Sequence, residues 1–363
     1  MRILFLIRSL ETGGAERQLL LLAKGLAGAG CTVQILTFYN SSSKFNASDY
    51  GDVKITSLEK TGRWGLGRFL FRLLKEVRIF SPDIIHGYLP TGNLLALIAK
   101  AVGLFRPRVV FGIRASTMDL TKFDWLAKLT YTAEKKLSVF ADAIIANSEA
   151  GALSFRRYNK QIHVIPNGID TEKFAPNTDA RNRIRKAWAL PPDSYVIGMV
   201  ARVDPMKDHQ TFISAAGSLS KDFSTMRFVC IGAGDMSELE AECSRRKILD
   251  KFIFCGSKDN MEDYYNALDL VVLPSFGEGF PNVVAEAMSV GKPVVASNVG
   301  AVREIVGSTG IVIDVGSSDQ LATACAKMKN AGNREVEIRA VVMSRFTAAK
   351  LVDRTLGVFR FLI

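Results

Sequence analysis

Short runs of β-branched and other apolar residues alternate along the chain with longer stretches in which apolar residues recur every three or four positions. The opening block, MRILFLIRSLETGGAERQLLLLAKGLAGAGCTVQILTFY, reads as a buried strand, a glycine-containing loop, a helix, a glycine turn and a second strand. That is the βαβ unit of a parallel sheet. The alternation continues through VKITSL, PDIIHGY, PRVVFGIRAS, ADAIIANS and IHVIPNG, with helical stretches between several of them. Continuous apolar runs of this kind belong to strands covered by helices on both faces. Between residues 169 and 194 the pattern lapses into what reads as a linker: Pro176, Asn177, Thr178 and Asp179 precede a short basic helix, which Pro191 and Pro192 follow. A second series then runs YVIGMVAR, RFVCIGAG, KFIFCG, LDLVVLPS, KPVVASNV and GIVIDV. The pattern predicts an α/β protein of two doubly wound, Rossmann-like domains, residues 1–175 and 185–346, facing a central cleft, with ligands beyond the carboxyl ends of the strands. For the closing helix, 347–363, packing on the first domain or staying with the second are both open.

Length fits this division, since 363 residues make two domains at roughly 100 to 200 residues each. With 48% hydrophobic and 23% charged residues, the chain can bury sizeable cores, and disorder as its main state is excluded. The net charge of +11 is unevenly spread: residues 1–175 carry 24 Lys and Arg against 14 Asp and Glu, and the remainder 23 against 22. A basic first half suits an anionic partner, whether nucleic acid, an acidic membrane surface or a phosphorylated substrate. Nucleic acid is set aside, because no RNA- or DNA-binding module or aromatic stacking pattern accompanies the charge. Cys31, Cys230, Cys243, Cys255 and Cys325 form no CxxC pair, so neither a disulfide framework nor a zinc site is indicated and a reducing compartment is expected. No run approaches the roughly 20 apolar residues of a membrane helix. We therefore expect a cytoplasmic protein, bound to a membrane at most peripherally.

One segment gives that membrane expectation a location. RWGLGRFLFRLLKEVRIF places Arg68, Arg72, Lys75 and Arg78 on one face of a helix, with Leu66, Phe69, Leu70, Leu73, Leu74, Val77 and Phe80 crowding the rest. A basic amphipathic helix is attracted to an anionic bilayer. An ordinary domain helix with its apolar side in the core explains the pattern equally well.

Three places carry candidate chemistry. Gly13 and Gly14 follow the first strand and open a helix, where free N–H groups and the helix dipole suit a phosphate; a tight turn would look the same. Arg202 and Lys207 lie in ARVDPMKDH, just beyond a strand. A guanidinium and an ammonium there could clamp a diphosphate, or simply be solvated. The third is PSFGEGFPNVVAEAMSVGKPVV, in which Glu278 sits in a glycine-rich loop and Glu286 falls in the second turn of a helix beginning near Pro281 or Asn282. Carboxylates so placed accept hydrogen bonds from sugar and ribose hydroxyls, and their spacing gives no sign of a hydrolase acid and base.

Taken in order, GGAER, VIPNGIDTEKF, GMVARVDPMKDH, IGAGD and EGFPNVVAEAMSVGKPVV closely resemble the retaining family 4 glycosyltransferases of the GT-B fold. The likeness is densest from residue 164 to 306, and the opening is most similar to bacterial transferases that build capsule, O-antigen or related lipid-linked glycans. The resemblance implies a nucleotide-diphosphate-sugar donor and a glycan or polyprenyl-diphosphate-linked acceptor. It implies that Gly13 and Gly14 bring backbone N–H groups near the donor diphosphate. Arg202 and Lys207 would hold that diphosphate and stabilise it as leaving group, with Glu278 the third catalytic contact. Glu278 and the backbone of Gly279, Phe280, Pro281 and Asn282 would hold the sugar, Glu286 the ribose, and the loops after IGAG and FIFCG the base. No metal or other cofactor is implied, because two cations take its place, and no DxD motif is present.

Two positions depart from, or only loosely match, the family pattern. Many relatives carry a histidine after the strand that here reads RVVFGIRAS; this chain has Arg114, which is no general base. His86, in PDIIHGY, matches another position often held by histidine and is expected at a strand end. Both are candidate acceptor or sugar contacts. Retention without a carboxylate nucleophile suggests front-face substitution, with the departing phosphate oxygen taking the acceptor's proton. A sugar phosphorylase or epimerase would need motifs that are lacking here. A non-catalytic, nucleotide-sugar-binding scaffold is the rival that the Arg114 departure favours and the intact Arg202, Lys207, Glu278 and Glu286 oppose.

Overall fold

The computed structural model describes residues 1–10, 13–40, 51–60, 62, 65–102, 106–114, 125–159 and 161–363. They divide into two compact units, Met1–Gly168 with Ala348–Ile363, and Ile169–Thr347.

The first unit runs β1 (Arg2–Ile7), α1 (Gly14–Gly28), β2 (Thr32–Thr37), β3 (Lys54–Ser57), α2 (Leu66–Phe80), β4 (Ile84–Tyr88), α3 (Leu89–Val102), β5 (Arg108–Ile113), α4 (Trp125–Leu137), β6 (Ala143–Ala146), α5 (Glu149–Leu153) and β7 (Ile162–Val164). The strands form one sheet in the order β3-β2-β1-β4-β5-β6-β7, every pairing parallel. Successive side chains of a strand point to opposite faces, and β1 shows the result. Ile3, Phe5 and Ile7 join Leu19, Leu22, Ala23 and Leu26 of α1. Leu4 and Leu6 join Phe69, Leu73 and Val77 of α2 and Leu95, Ala96 and Ala99 of α3. A helix layer on each face is what the unbroken apolar runs require. The end of the unit is fixed by a reciprocal buried pair: Gln18 Nε2 donates to the Gly168 carbonyl (2.8 Å) and the Gly168 N–H donates to Gln18 Oε1 (2.9 Å).

The second unit runs α6 (Thr178–Ala187), β8 (Tyr195–Val200), α7 (His209–Asp222), β9 (Met226–Ile231), α8 (Ser237–Arg245), β10 (Phe252–Phe254), α9 (Met261–Ala267), β11 (Leu270–Leu273), α10 (Asn282–Ser289), β12 (Val294–Ser297), α11 (Val302–Val306), β13 (Ile311–Ile313), α12 (Ser318–Lys329) and α13 (Glu335–Arg345). Its parallel sheet has the order β10-β9-β8-β11-β12-β13. Val196, Val200, Val229 and Val271 meet Val284 and Met288 of α10 on one face. Ile197, Met199 and Phe228 meet Phe212 and Ile213 of α7 and Leu321 of α12 on the other.

The chain leaves the first unit at Gly168, ahead of the expected boundary at 175, and the stretch read as a linker is an integral part of the second unit. Asn177 caps α6 by accepting from the Ala180 N–H (2.9 Å). Arg181 and Arg185 of α6 both pair with Asp269, which also accepts from the Val196 N–H (2.7 Å). Two of the basic residues of the expected linker are thus committed to one carboxylate, and a third, Arg183, pairs with Asp263. After α13 the chain returns to the first unit as α14 (Ala348–Leu362), which packs against α1 through Leu351, Val352, Leu356 and Phe359.

Candidate functional site

In the second unit the carboxyl ends of β8, β9 and β11 converge. The segment after β8 contains a 3-10 turn, Pro205–Lys207, held between two aspartates. Asp204 Oδ1 accepts from the Met206 N–H (2.8 Å). Asp208, at φ +56°, caps α7 by accepting from the Thr211 N–H (3.1 Å) and hydroxyl (2.6 Å). Lys207 is therefore the exit residue of a doubly capped turn, and its Nζ donates to Glu278 Oε1 at 2.6 Å. Both side chains are part-buried, where Coulombic attraction is stronger than at the open surface. The Phe276 N–H donates to the Met206 carbonyl (2.9 Å), tying the glutamate's loop to the lysine's turn.

Two glycines make this convergence sterically feasible. A Cβ on Gly232, just after β9, would lie 2.0 Å from the Ala201 carbonyl oxygen. Gly300, at φ +53°, approaches the Glu278 and Gly279 carbonyl oxygens so closely that a Cβ would lie 2.3 Å from each, and the neighbouring Ala301 N–H donates to the Gly279 carbonyl at 2.8 Å. The loops after β9 and β10, expected to line a base, are joined by the Gly232 N–H donating to the Gly256 carbonyl (2.9 Å).

The sequence-predicted residues of this unit separate by role. Lys207 and Glu278 are in direct contact. Arg202 reaches Asp204 Oδ2 at 3.1 Å and is otherwise open to solvent, its side chain 70% exposed. Glu286 is buried in the second turn of α10, where Oε2 accepts from the Tyr265 hydroxyl at 2.9 Å. Pro281 is the N-cap of α10. The Phe280 ring lies in the core, edge-on to Phe346 at 5.5 Å, so this residue offers only its backbone to a ligand. Asp204, Asp208, Tyr265 and Gly300 were missed from sequence. An Asp on either side of a Pro-Met-Lys turn is a capping signature that could have revealed the first two; Tyr265 and Gly300 carried no local signal.

In the first unit Gly13 is the N-cap of α1, with no side-chain cap. The Glu16 carboxylate folds over it, placing Oε2 2.0 Å from where a Cβ on Gly13 would stand, so a larger residue there would displace the Glu16 side chain. Gly14 is the first residue of that helix. Along the same carboxyl edge of the sheet, Tyr88, Arg114, Asn147 and Asn167 follow one another across the ends of β4 to β7. Arg114 donates to the Tyr88 hydroxyl (2.7 Å) and to Asn167 Oδ1 (3.3 Å), and its guanidinium stacks on the Tyr88 ring at 4.4 Å. Its carbonyl accepts from Asn147 Nδ2 (3.2 Å). The family histidine is thus replaced by a guanidinium locked in a polar row.

The placement of His86 differs from the expected strand end. It is the middle residue of β4 and completely buried, between the rings of Phe5 (5.4 Å), Tyr88 (5.0 Å) and Phe359 (5.6 Å). Burial, aided by the Arg114 charge, lowers its pKa well below the ordinary histidine value. A neutral core histidine of this kind does not reach a substrate, because a strand centre covered by α14 is closed to solvent. The expectation of an acceptor contact at His86 is corrected accordingly. Among the described residues there is no cluster of three His, Cys, Asp or Glu able to hold a metal ion, and no helix long and apolar enough to cross a membrane.

Two parallel Rossmann-like sheets in one chain are the architecture of the GT-B class. Solved structures of this class share the fold. HepE from Anabaena, determined in complex with UDP and glucose, superposes with a TM-score of 0.85 over 99% of each chain at 21% identity. The chain matches the glycosyltransferase family 4 profile over residues 12–173 and the glycosyl transferases group 1 profile over residues 194–330. It belongs to the family 4 glycosyltransferases. It is 30% identical to a D-inositol 3-phosphate glycosyltransferase of Kribbella flavida, spanning 92% of this chain and 86% of that one. It is 28% identical to the UDP-Gal:α-D-GlcNAc-diphosphoundecaprenol α-1,3-galactosyltransferase of Escherichia coli, over 78% and 76%.

Proposed function

We propose that this glycosyltransferase moves a hexose-type sugar, with retention, from a nucleotide-diphosphate donor to a glycan or polyprenyl-diphosphate-linked acceptor in bacterial cell-surface polysaccharide synthesis. The observation that carries the reading is the Lys207–Glu278 contact at 2.6 Å in a loop held by Asp204, Asp208 and Gly300. The capped turn holds the ammonium beside the loop where a diphosphate would arrive, so exchanging the carboxylate for phosphate oxygens needs only a side-chain movement, and a cation at the leaving group supplies electrostatic catalysis. Lys207 then turns to the phosphate oxygens together with Arg202, whose exposed side chain is at liberty to move, and Glu278 is released to accept sugar hydroxyls. Glu286, oriented by Tyr265, takes the ribose hydroxyls.

In the reaction the C1–oxygen bond to the β-phosphate breaks. The acceptor oxygen bonds C1 on the same face, and the acceptor's proton passes to the departing phosphate oxygen. The two cations supply the charge that a metal would otherwise bring, so activity persists in a chelator. The lipid-linked acceptor is supported by the name of the Escherichia coli relative and by the basic first half of the chain, which together favour action at the inner face of an anionic plasma membrane.

The test is incubation of purified protein with UDP-, GDP- and ADP-sugars, reading thermal stabilisation and slow nucleotide release. One donor that does both supports the reading. Binding without turnover, even with lipid-linked acceptors, supports the scaffold, the alternative favoured by an Arg114 already engaged by Tyr88 and Asn167.

A further inference from the structure

We propose that the carboxyl ends of β11, β12 and β13 bind a sugar ring of the acceptor, stacked on Phe276 and hydrogen-bonded by Asn298 and Arg303. The inference rests on the transfer reading and deepens it by saying where the acceptor's sugar is recognised. Among the described residues of the second unit, the large apolar side chains that are exposed are Leu249, Phe276, Val315, Val336 and Met343. Leu249 precedes β10, and Val336 and Met343 lie on α13, whereas Phe276 and Val315 follow β11 and β13. Phe276 is 49% exposed and Val315 43%. Single exposed apolar residues are common on protein surfaces; the place of this phenylalanine, two residues before Glu278 in the same loop, ties it to the site.

The direction of the ring is given by Gly316. A Cβ there would stand 3.8 Å from Phe276 Cε1, so the ring reaches from the end of β11 to the loop after β13. β12 lies between those two strands, and neighbouring strands are about 4.8 Å apart; the ring therefore spans the end of β12. The residue following β12 is Asn298, whose N–H donates to the Ile313 carbonyl at 2.9 Å and whose Oδ1 accepts from Arg303 Nε at 3.4 Å. Both side chains are exposed. Asn298 Nδ2 and the two Arg303 Nη groups have no hydrogen-bond partner among the described residues. An aromatic face bordered by free N–H donors suits a pyranose, which lays C–H groups on the negative face of the ring and offers hydroxyl oxygens at its rim.

The order of the strands decides which sugar this is. Lys207 follows β8 and Glu278 follows β11, while the loops expected to line the base follow β9 and β10. In the sheet order β10-β9-β8-β11-β12-β13, the base thus lies to one side of the Lys207–Glu278 contact, and Phe276 leans to the other. A ring stacked there stands beyond the donor's own sugar, on the side away from the nucleotide, which is where an acceptor must approach.

The experiment is saturation-transfer NMR of the full chain with the methyl glycosides of glucose, galactose, mannose and N-acetylglucosamine, each titrated for its Kd. In parallel, calorimetry measures the affinity of every variant for UDP, GDP and ADP. At least one glycoside should receive saturation, and Phe276→Ala should weaken its binding about tenfold, with Phe276→Trp retaining it. Asn298→Ala and Arg303→Ala should each weaken it roughly threefold. Nucleotide affinity should stay within about twofold throughout, and unchanged melting temperatures would confirm intact folding. A panel in which no glycoside binds, or binds indifferently to Phe276→Ala, overturns the proposal. Glycoside binding lost in Glu278→Ala but not in Phe276→Ala belongs to the donor's sugar and overturns it too, as does an equal loss of nucleotide affinity in Phe276→Ala, which would make the ring a base platform. No turnover is needed for these readings. Phe276-dependent glycoside binding in a protein that transfers nothing fails the catalytic reading alone, and turnover without such binding fails the acceptor subsite alone.

Discussion

Replacing Glu134 by glutamine should make the protein more stable at neutral and alkaline pH. The glutamate is buried between α3 and α4, and its surroundings are fully committed: Asn93 Nδ2 donates to it, and Asn93 Oδ1 accepts from the Gly112 N–H at 3.0 Å. Burial raises its pKa from 4.5 to about 7, against smaller opposing effects of Asn93 and Lys135. The folded state therefore holds the proton more tightly than the unfolded chain. Its stability is undiminished below pH 4.5 and is lost progressively as pH rises through 7. At about 1.4 kcal/mol per pH unit, the gap between the two values amounts to about 3 kcal/mol once both states are ionised. Glutamine keeps an oxygen for the Asn93 amide and never ionises. Denaturant unfolding of wild type and Glu134→Gln at a series of pH values should show the variant ahead by up to about 3 kcal/mol near pH 8, the difference shrinking towards zero at acid pH. A difference that does not change with pH, or a variant weaker near pH 8, would refute the burial of an ionisable group at this point.

The same pair of proteins tests His86. Its lowered pKa means that the fold prefers the neutral ring, so stability falls as pH drops below 6.5. In the wild type this opposes the Glu134 contribution; in Glu134→Gln it acts together with His163 and His209, whose pKa values burial also lowers, and the unfolding midpoint should decline as pH falls below 6.5. A flat profile there would contradict the buried neutral imidazole. Gly300→Ala combines a left-handed φ with carbonyl oxygens 2.3 Å from the new Cβ. It should weaken nucleotide-sugar binding in calorimetry as well as lower the melting temperature. Gly332→Ala, with φ +73° but open space around it, should cost only the backbone term of roughly 1 kcal/mol. Equal losses in the two would mean that Gly300 is not packed against the glutamate's loop. Arg202→Ala should reduce turnover while leaving the melting temperature within about a degree, because its exposed pairing with Asp204 contributes little to stability.

The strands and their parallel pairing were legible because a strand buried on both faces leaves an unbroken apolar run, as LFLI and FVCI do. The donor loop was legible because glycines, a proline and carboxylates stand close together in the chain. What distance in sequence conceals was less accessible. Tyr265 orients Glu286 from another helix, and Gly300 supports the Glu278 backbone from the far side of β12. Charge misled once: Arg181 and Arg185 read as part of a linker until Asp269 claimed them. His86 read as a strand end because PDIIHGY gives no sign of where pairing stops; β4 continues to Tyr88 and α14 covers the ring.

Turnover of a nucleotide sugar by the wild type and by Lys207→Ala bears most directly on the proposed role of the Lys207–Glu278 loop. With the donor that stabilises the protein in hand, nucleotide release is measured with and without acceptor, with circular dichroism confirming that both proteins are folded. Loss of one preorganised cation at the leaving group should lower kcat by about 10² to 10³, with a much smaller change in donor affinity. A Lys207→Ala protein that turns over at the wild-type rate would remove Lys207 from the chemistry and leave its contact with Glu278 a structural one.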